Sequence, residues 1–309
     1  MSVMVGTPEG PLADAQAMKD KASNIGLDWV GMEGIALPVE ISGRPVSAFV
    51  NAGINLISRD EGQKGIHMSR LYQGLDELTQ GELTPQRIEK TLNHFLSSHE
   101  GQTSQANMRV SGDILLSRSS MLSGNRGWKA YPLEIDATLA DSLILTLKIG
   151  VPYSSTCPSS AALSVQVAQQ QFNLDFDSHG DSVSQKDVSK WLIERGLPAT
   201  PHSQRSWAWI TVRLGLNASQ FPVIELINRI EVALSTPVQT VVKRNDEQAF
   251  AIANGQNLMF CEDAARRLYN ALKNQCHFDR VDIQVEHQES LHAHNAVART
   301  SWKRGFYAA

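Results

Sequence analysis

The sequence lacks the features that mark secreted, membrane-spanning and nucleic-acid-binding proteins. It has only three cysteines, too few and too scattered for a disulfide framework, which favours a reducing compartment. No apolar run approaches the roughly 20 residues that a transmembrane helix needs. The 28 basic and 32 acidic residues give a net charge of −4, whereas a dedicated nucleic-acid-binding protein is usually basic. We therefore expect neither a membrane nor a nucleic acid among the partners.

The first twenty residues also lack the signature of a signal peptide. They contain Glu9, Asp14 and Asp20 and no apolar stretch that could serve as its core. We therefore expect a cytoplasmic protein. At 309 residues the chain has room for about two domain-sized units, and a composition of 42% hydrophobic and 19% charged residues is ordinary for a globular protein.

Strand and helix patterns follow one another in the same order in each half of the chain. Paired strand patterns are followed by two helical patterns and then by further strands. This order predicts an α+β fold with two tandem modules, residues 31–152 and 153–309, after an N-terminal arm over residues 1–30. A polar stretch and one short helical pattern interrupt the second module, which predicts an insertion at about residues 170–200.

Local signals sharpen this prediction. Thr84 and Pro85 predict the start of a helix, because threonine caps helices and proline suits the first helical position. Residues 43–45, Gly-Arg-Pro, predict a turn between two strands. Residues 238–243 have the composition of a short strand, and the charged residues 243–247 that follow are typical of a solvated turn.

Two of the residues that could carry chemistry are ambiguous on spacing alone. Cys157 lies in a segment rich in turn-forming residues, between Pro152 and Ser160. A small buried residue, a thiolate nucleophile and a zinc-type ligand are all open interpretations. His202 follows a proline, and a lone histidine in a loop is usually a surface residue.

The other candidates come from the last fifty residues. Glu262 lies one helical turn before Arg266, so an exposed ion pair is its simplest interpretation. His292 and His294 are two residues apart, and in an extended segment they would point the same way and reach one site. With only nine histidines in the chain, this pair indicates a metal-binding or acid–base role as readily as a surface one.

In their order along the chain, these segments resemble those of the type IB GTP cyclohydrolases, from about residue 30 to residue 300. The segments are Lys64-Gly-Ile-His67-Met-Ser-Arg70, Cys157-Pro158, His202-Ser-Gln-Arg205, Glu247 with Phe260-Cys-Glu262-Asp263, and Glu289-Ser-Leu-His292-Ala-His294-Asn295-Ala296. The resemblance implies the tunnelling fold, with two modules per chain, and a homotetramer with sites at subunit interfaces. It also implies conversion of GTP and water to 7,8-dihydroneopterin triphosphate and formate. This is the first step of tetrahydrofolate and pterin synthesis, with deazapurine synthesis as a further use.

The resemblance assigns roles to individual residues. It implies one divalent ion per subunit, zinc, manganese or iron, because thiolate, imidazole and carboxylate ligands suit such an ion. The implied metal ligands are Cys157, His202, Glu247 and His292. The implied catalytic residues are Cys157, His292 and His294. Glu262 is implied as the anchor of guanine, and the implied contacts of the triphosphate are His67, Arg70, Arg205 and Lys243.

Two departures from the family pattern keep alternatives open. The family usually has a second cysteine two residues after the first, where this chain has Ser159, and the insertion at 170–200 lengthens the path from Cys157 to His202. One alternative is another enzyme on the same fold, such as the nitrile reductase of queuosine synthesis, which uses a nucleophilic cysteine and a nicotinamide cofactor. The other is a purine- or pterin-binding protein without turnover.

Overall fold

The structure, a computed structural model, is an α+β fold in the part of the chain that it describes. The described residues are 19–20, 25–57, 62–63, 65–177, 180, 182–273, 275 and 277–305, so most of the expected arm, Lys64 and Cys276 lie outside them. The strands are β1 (Lys19–Asp20), β2 (Leu27–Ile41), β3 (Arg44–Leu56), β4 (Gly62–Gln63), β5 (Ala106–Ser119), β6 (Arg126–Leu139), β7 (Leu143–Thr156), β8 (Ser203–Leu214), β9 (Phe278–His287) and β10 (Ala296–Lys303). The helices are α1 (Met68–Gly74), α2 (Pro85–Ser98), α3 (Pro158–Phe176), α4 (Gln185–Arg195), α5 (Val223–Leu234), α6 (Arg244–Gln256) and α7 (Cys261–Leu272), with a 3-10 helix at Leu75–Thr79.

Eight of these strands form one sheet in the order β10-β9-β8-β7-β6-β5-β3-β2, while β1 and β4 pair separately. The hairpin between β2 and β3 turns at Ser42 and Gly43, whose φ angles of 52° and 68° are both positive. A two-residue turn of this kind matches the twist of antiparallel strands. The expected turn at residues 43–45 is therefore misplaced, because Pro45 already pairs with Glu40 inside the hairpin.

The chain divides into two compact units that are not consecutive stretches of sequence. The first is Met1–Gly112, Ile135–Leu145 and Leu216–Phe221, and the second is Asp113–Glu134, Thr146–Gly215 and Pro222–Ala309. The division runs through β5, β6 and β7. The expected modules, 31–152 and 153–309, are each continuous in sequence, so their boundary remains a prediction.

The core of the first unit lies between its strands and the pair of helices α1 and α2. The start of α2 is as expected, because the Thr84 hydroxyl accepts a hydrogen bond from the Arg87 amide at 3.3 Å and Pro85 is the first helical residue. Ile88, Leu92 and Phe95 recur at helical spacing, and each is fully buried. The periodicity of the sequence thus identifies the buried face of α2 correctly.

The core of the second unit lies between the strands β7 to β9 and the helices α5 and α7. Helix α7 packs against α5, β9 and β10, and its Ala264, Leu268 and Leu272 are buried as expected. Phe260, expected on the same face, is instead 44% exposed at the cap position before the helix. In the strands, alternating residues such as Leu147 face this core.

Two helices of the second unit were not expected. Helix α3 begins directly after Cys157, where the sequence indicated only a turn. Helix α6 begins at Arg244, where the charged run was expected to be a solvated turn. The prediction of a short strand over 238–243 is wrong, because these residues form no strand. The residue before them, Pro237, makes an isolated bridge to Tyr153.

The expected short helix of the insertion is confirmed as α4. Ser184 caps it, with its hydroxyl accepting from the Asp187 amide at 3.2 Å, and Gly196 follows its last residue. Among the described residues, no helix combines the length and apolar character needed to cross a membrane.

Candidate functional site

Three strand ends meet at one end of the sheet in the second unit. Strand β7 ends at Thr156, which pairs with Ser203 at the start of β8, and Ser206 in turn pairs with His287 at the end of β9. Antiparallel neighbours place the end of one strand beside the start of the next. The fold therefore brings together residues that follow β7, precede β8 and follow β9, although they are far apart in sequence.

Cys157 and His202 are held side by side by backbone contacts. The Cys157 amide donates to the His202 carbonyl at 3.2 Å, and the His202 amide donates to the Ser160 hydroxyl, also at 3.2 Å. Cys157 caps α3, where its Sγ accepts from the Ser160 amide at 3.5 Å. The thiol is only half-buried, so it is open to a ligand.

His202 is oriented by a short chain of hydrogen bonds. Its Nδ1 donates to Gln204 Oε1 at 2.9 Å, and Gln204 Nε2 donates to the Ser155 hydroxyl at 2.7 Å. Because Nδ1 carries the hydrogen of the neutral ring, Nε2 is left to bind a metal ion or to accept a proton. Nε2 faces Glu289, whose Oε2 lies 3.7 Å away.

Glu289 links His202 to the second pair of histidines. The same Oε2 atom lies 3.4 Å from Nδ1 of His292, and the rings of His292 and His294 stack with centroids 4.9 Å apart. The segment that carries them is a series of bends and not the extended strand assumed from the sequence, yet the two rings lie together. Glu289 itself was quoted in the sequence motif but was given no role, and its contacts identify it as a member of this cluster.

Glu262 lies in the first turn of α7 and does not form the ion pair that the sequence suggested. Arg266 pairs with Asp263 at 3.1 Å instead. The backbone amide at the helix start and the Cys261 thiol, which donates to Glu262 Oε2 at 3.2 Å, lower the pKa of the Glu262 carboxyl. Burial raises the pKa of Cys261 to about 11, so this sulfur is a thiol and not a thiolate nucleophile. Glu262 lines a recess of about 430 Å³.

A buried pair of aromatic residues, Tyr153 and His287, lies at the same strand ends. The Tyr153 hydroxyl is 2.8 Å from His287 Nε2. Burial lowers the pKa of His287 to about 4, opposed in part by the charges of Glu289 and Glu262. Sequence reasoning missed both residues, because each occupies an inward position of a strand that looks like any other core position.

Glu247 and Arg205 share a different recess, of about 340 Å³, which Ser203 also lines. Along β8, Ser203 and Arg205 alternate with Gln204, and Gln204 is the residue that His202 contacts. Gln204 lines the recess as well, so the residue that orients His202 also borders the space beside Glu247. Glu247 is exposed, and its amide donates to the Lys243 carbonyl at 3.0 Å.

Asp246 fixes the start of the helix that carries Glu247. Its carboxylate accepts from the amides of Leu122, Ser123 and Lys243 at 2.8, 2.9 and 2.8 Å, and from the Ser123 hydroxyl at 2.6 Å. These four donors hold the pKa of Asp246 well below its usual range. The signal that could have revealed it is an acidic residue three positions after a helix cap.

The other two residues implied as triphosphate contacts, His67 and Arg70, lie in the first unit. His67 precedes α1 and Arg70 belongs to it, where the Arg70 guanidinium donates to the Ser98 carbonyl at 2.8 Å. Arg205 and Lys243 lie in the second unit. The role of all four in binding a triphosphate remains a prediction.

The expected metal ligands are only partly assembled by one chain. Cys157 and His202 adjoin, His292 lies near them beside Glu289, and Glu247 lines the 340 Å³ recess that Gln204 also lines. Throughout the described ranges, no three histidine, cysteine or acidic side chains converge into a group that could hold a metal ion. The donor set fits a zinc-like ion in its chemistry, but the metal remains a prediction.

Comparison with known proteins decides the family. The family model of "Type I GTP cyclohydrolase folE2" matches residues 12–298. The chain belongs to this family. Among curated proteins, "GTP cyclohydrolase FolE2" of Serratia proteamaculans is 62% identical over 302 residues, which are 98% of each chain. The protein of the same name from Klebsiella pneumoniae is 60% identical over 94% of this chain and 98% of that one. The protein of the same name from Pseudomonas putida is 49% identical over 93% of this chain and 95% of that one.

Uricases are among the similar solved structures. The uricase of Arthrobacter globiformis aligns with 92% of this chain and 96% of its own at 8% identity and a TM-score of 0.46. The uricase of Bacillus fastidious aligns with 89% of this chain and 92% of its own, at 6% identity and a TM-score of 0.45. A likeness of this size is too weak to assign a fold.

Proposed function

We propose that the chain is a GTP cyclohydrolase that converts GTP and water to 7,8-dihydroneopterin triphosphate and formate, the first step of tetrahydrofolate and pterin synthesis. One observation carries the proposal: a relative named GTP cyclohydrolase FolE2 is 62% identical across 98% of the chain. The chemistry-bearing residues that gather at the ends of β7, β8 and β9 support it. A cytoplasmic location, favoured by the few scattered cysteines, belongs to the same proposal.

Recognition of the guanine base is assigned to Glu262. Its lowered pKa keeps the carboxylate ionised at neutral pH. An ionised carboxylate has acceptors for both the ring N–H and the exocyclic amino group of guanine. The 430 Å³ recess beside Glu262 is open to a ligand, which supports this assignment over a purely surface role.

Proton transfer is assigned to the cluster around Glu289. Opening of the five-membered ring of guanine requires attack of water at carbon 8, and the ring nitrogen that leaves has to gain a proton. Imidazoles titrate near neutral pH and suit such transfers. His292 is half-exposed, so it can reach a substrate, while Glu289 Oε2 lies 3.4 Å from His292 Nδ1 and 3.7 Å from His202 Nε2.

A divalent ion, zinc, manganese or iron, belongs to this proposal. Cys157, His202, Glu247 and His292 would hold it, and its contribution would be to lower the pKa of a bound water towards neutrality. Arg205 and Lys243, with His67 and Arg70, are proposed to bind the triphosphate, because cationic side chains form charge-assisted hydrogen bonds with phosphate oxygens.

The tunnelling fold and the homotetramer are the finer parts of the proposal. In the described residues β10 pairs with β9 alone, and β2 pairs with β3 apart from a single bridge between Glu40 and Glu82. Strand edges of this kind pair readily with another chain. A ring of subunits would cover both edges.

A turnover assay on anaerobically purified protein of known metal content tests the function. We expect formate and a fluorescent oxidised pterin to appear in equal amounts from GTP. Consumption of a nicotinamide cofactor with a nitrile substrate would instead support the reductase alternative. Tight binding of GTP without formate would support a non-catalytic protein.

A further inference from the structure

Tyr153 and His287 form a fully enclosed polar pair in the second unit. Tyr153 has no exposed surface, and His287 is 4% exposed. Their polar atoms are 2.8 Å apart, and the two rings meet edge to face with centroids 5.8 Å apart. Tyr153 lies opposite Ser206, which lies opposite His287, so the pair spans three neighbouring strands on one face of the sheet. The fold itself fixes the distance between them.

The pair lies directly beneath the residues assigned to chemistry. His287 is the last residue of β9 and is followed by the bend that carries Glu289 and His292. The carboxylates of Glu289 and Glu262 and the imidazole of His202 all act on it electrostatically. On the other side, the Tyr153 hydroxyl is near Cys261, the partner of Glu262.

Burial keeps both members of the pair uncharged. It raises the pKa of the Tyr153 phenol above its ordinary value and lowers the pKa of the His287 imidazole to about 4. Near neutral pH a phenol therefore faces a neutral imidazole. A neutral imidazole has one N–H, so either the phenol donates to Nε2 and the ring hydrogen is on Nδ1, or Nε2–H donates to the phenol oxygen.

We propose that Tyr153 is a positioning residue, whose hydroxyl donates to His287 Nε2, fixes the ring and leaves its hydrogen on Nδ1. By fixing His287, the pair also fixes the bend that follows it. Glu289, which lies on this bend, thereby keeps its position between His202 and His292. The kinetic consequence rests on the proposed function, whereas the hydrogen-bond arrangement does not.

The first test is nitrogen-15 NMR of the full-length protein with labelled histidine. The His287 signals are identified by their loss in His287→Gln. We expect Nδ1 to be the protonated nitrogen and Nε2 the acceptor at neutral pH. A hydrogen on Nε2, or on both nitrogens, in the wild-type protein would overturn the proposal. This result stands even if GTP is not the substrate.

The second test is the Tyr153→Phe variant, which keeps the ring and removes only the donor. We expect kcat for GTP to fall by roughly tenfold or more, because small displacements of catalytic groups have effects of this size, with KM within about twofold. Its NMR spectrum should show that His287 no longer has a single fixed proton position. Wild-type kcat in folded Tyr153→Phe would overturn the proposal.

Tyr131→Phe is the matched control. Tyr131 is another fully buried tyrosine of the same unit, and its hydroxyl donates to Glu231 at 2.6 Å. We expect this variant to lose stability but to keep its kcat. An equal loss of kcat in both variants would show that any disruption of the core lowers kcat, and would overturn the proposal.

If Tyr153→Phe does not fold, the wild-type NMR result decides the proposal. Absence of any GTP turnover by the wild-type protein would count against the proposed function alone.

Discussion

At the scale of single residues, Glu262 is the position where alternative roles predict the most different outcomes. The helix start and the Cys261 thiol both favour its ionised form. The carboxylate also lines a recess large enough for a purine, and Arg266, its expected partner, pairs with Asp263. A surface carboxylate that only stabilises a helix start would contribute about 0.3–1 kcal/mol and nothing to turnover.

We therefore expect Glu262→Gln to lower kcat/KM for GTP by about ten- to a hundredfold. The amide keeps the shape but places an NH2 group against a donor of guanine, and such a mismatch costs roughly 1–3 kcal/mol. Steady-state kinetics and direct titration with GTP measure the loss, with metal content unchanged.

Asp263→Asn is the control for this variant, because it removes a charge from the same helical turn. It should show a similar small change in stability and wild-type kinetics. Wild-type kinetics in Glu262→Gln itself would show that Glu262 does not bind guanine and only stabilises the start of the helix.

Cys157→Ser separates the capping role of this residue from its chemical role. A serine hydroxyl accepts the Ser160 amide at a helix start at least as well as a thiol does, so the fold should be retained. The variant loses the sulfur ligand, and we expect loss of metal binding and of turnover. Metal analysis, a GTP assay and thermal unfolding measure the three properties.

Cys157→Ala extends this test by removing the cap as well, at a cost of about 1 kcal/mol. It should also be inactive but folded. Full activity of the serine variant, or unfolding of both variants, would show that the thiol of Cys157 is not a metal ligand.

How far the sequence predicts the site depends on the kind of residue. Cys157, His202 and Glu262 were found because their residue types and order match a family pattern. Tyr153 and His287 could not be found, because a buried polar pair across strands depends on the register between β7, β8 and β9. Strand register follows from the whole sheet and not from local composition.

At the scale of elements, α6 depends on one carboxylate. Asp246 is completely buried and gathers four hydrogen bonds, three of them from backbone amides. It ties the first turn of α6 to the loop between β5 and β6. Because Lys243 and Glu247 flank this turn, Asp246 also fixes their positions.

The pH dependence of stability should reveal this anchor. The pKa of Asp246 is lowered in the folded protein, and an aspartate in an unfolded chain titrates near 3.9. Its contribution is therefore fully present above about pH 4 and is lost as the pH falls through the lower, folded pKa. We expect Asp246→Asn to be less stable than wild type at pH 7, with the difference shrinking in acid, as measured by urea unfolding.

Asp187→Asn serves as the control, because Asp187 occupies the equivalent position of α4 but is exposed. Its loss of stability at pH 7 should be clearly smaller. A difference between wild type and Asp246→Asn that stays constant with pH would contradict the role given to this carboxylate.

The helices show why local patterns predict some elements and miss others. α2 and α5 have apolar stripes at helical spacing, and their buried residues follow these stripes. α3 has no buried residue at all, and α6 buries only Asp246. Without a buried face there is no periodic signal for sequence analysis to detect.

At the scale of the whole molecule, the exposed surface of α3 leads us to predict contact with another chain. No charged residue occurs from Pro158 to Leu174, and Leu163, Val165 and Leu174 are 59%, 69% and 73% exposed. Exposed apolar side chains on a helical stretch without charge are typical of an interaction surface. Because α3 begins directly after Cys157, a chain that covers this helix would lie next to the candidate site.

The last prediction concerns this assembly and the composition of the site. We expect a homotetramer, whose mass by light scattering would be about 136 kDa for four chains of 34.0 kDa. In the described part of one chain, Cys157, His202 and Glu247 do not converge into one metal-binding group, so we expect the Glu247 of one subunit to complete the Cys157 and His202 site of another.

Mixing two inactive variants tests this expectation. Cys157→Ala and Glu247→Ala should each be inactive, but tetramers formed from equal amounts of both should regain activity at about a quarter of their sites. A quarter is the chance that two subunits meeting at one site supply an intact cysteine and an intact glutamate. If both ligands come from the same subunit, every site lacks one of them, and the mixture stays inactive. A fully active monomer would contradict both the tetramer and the shared site.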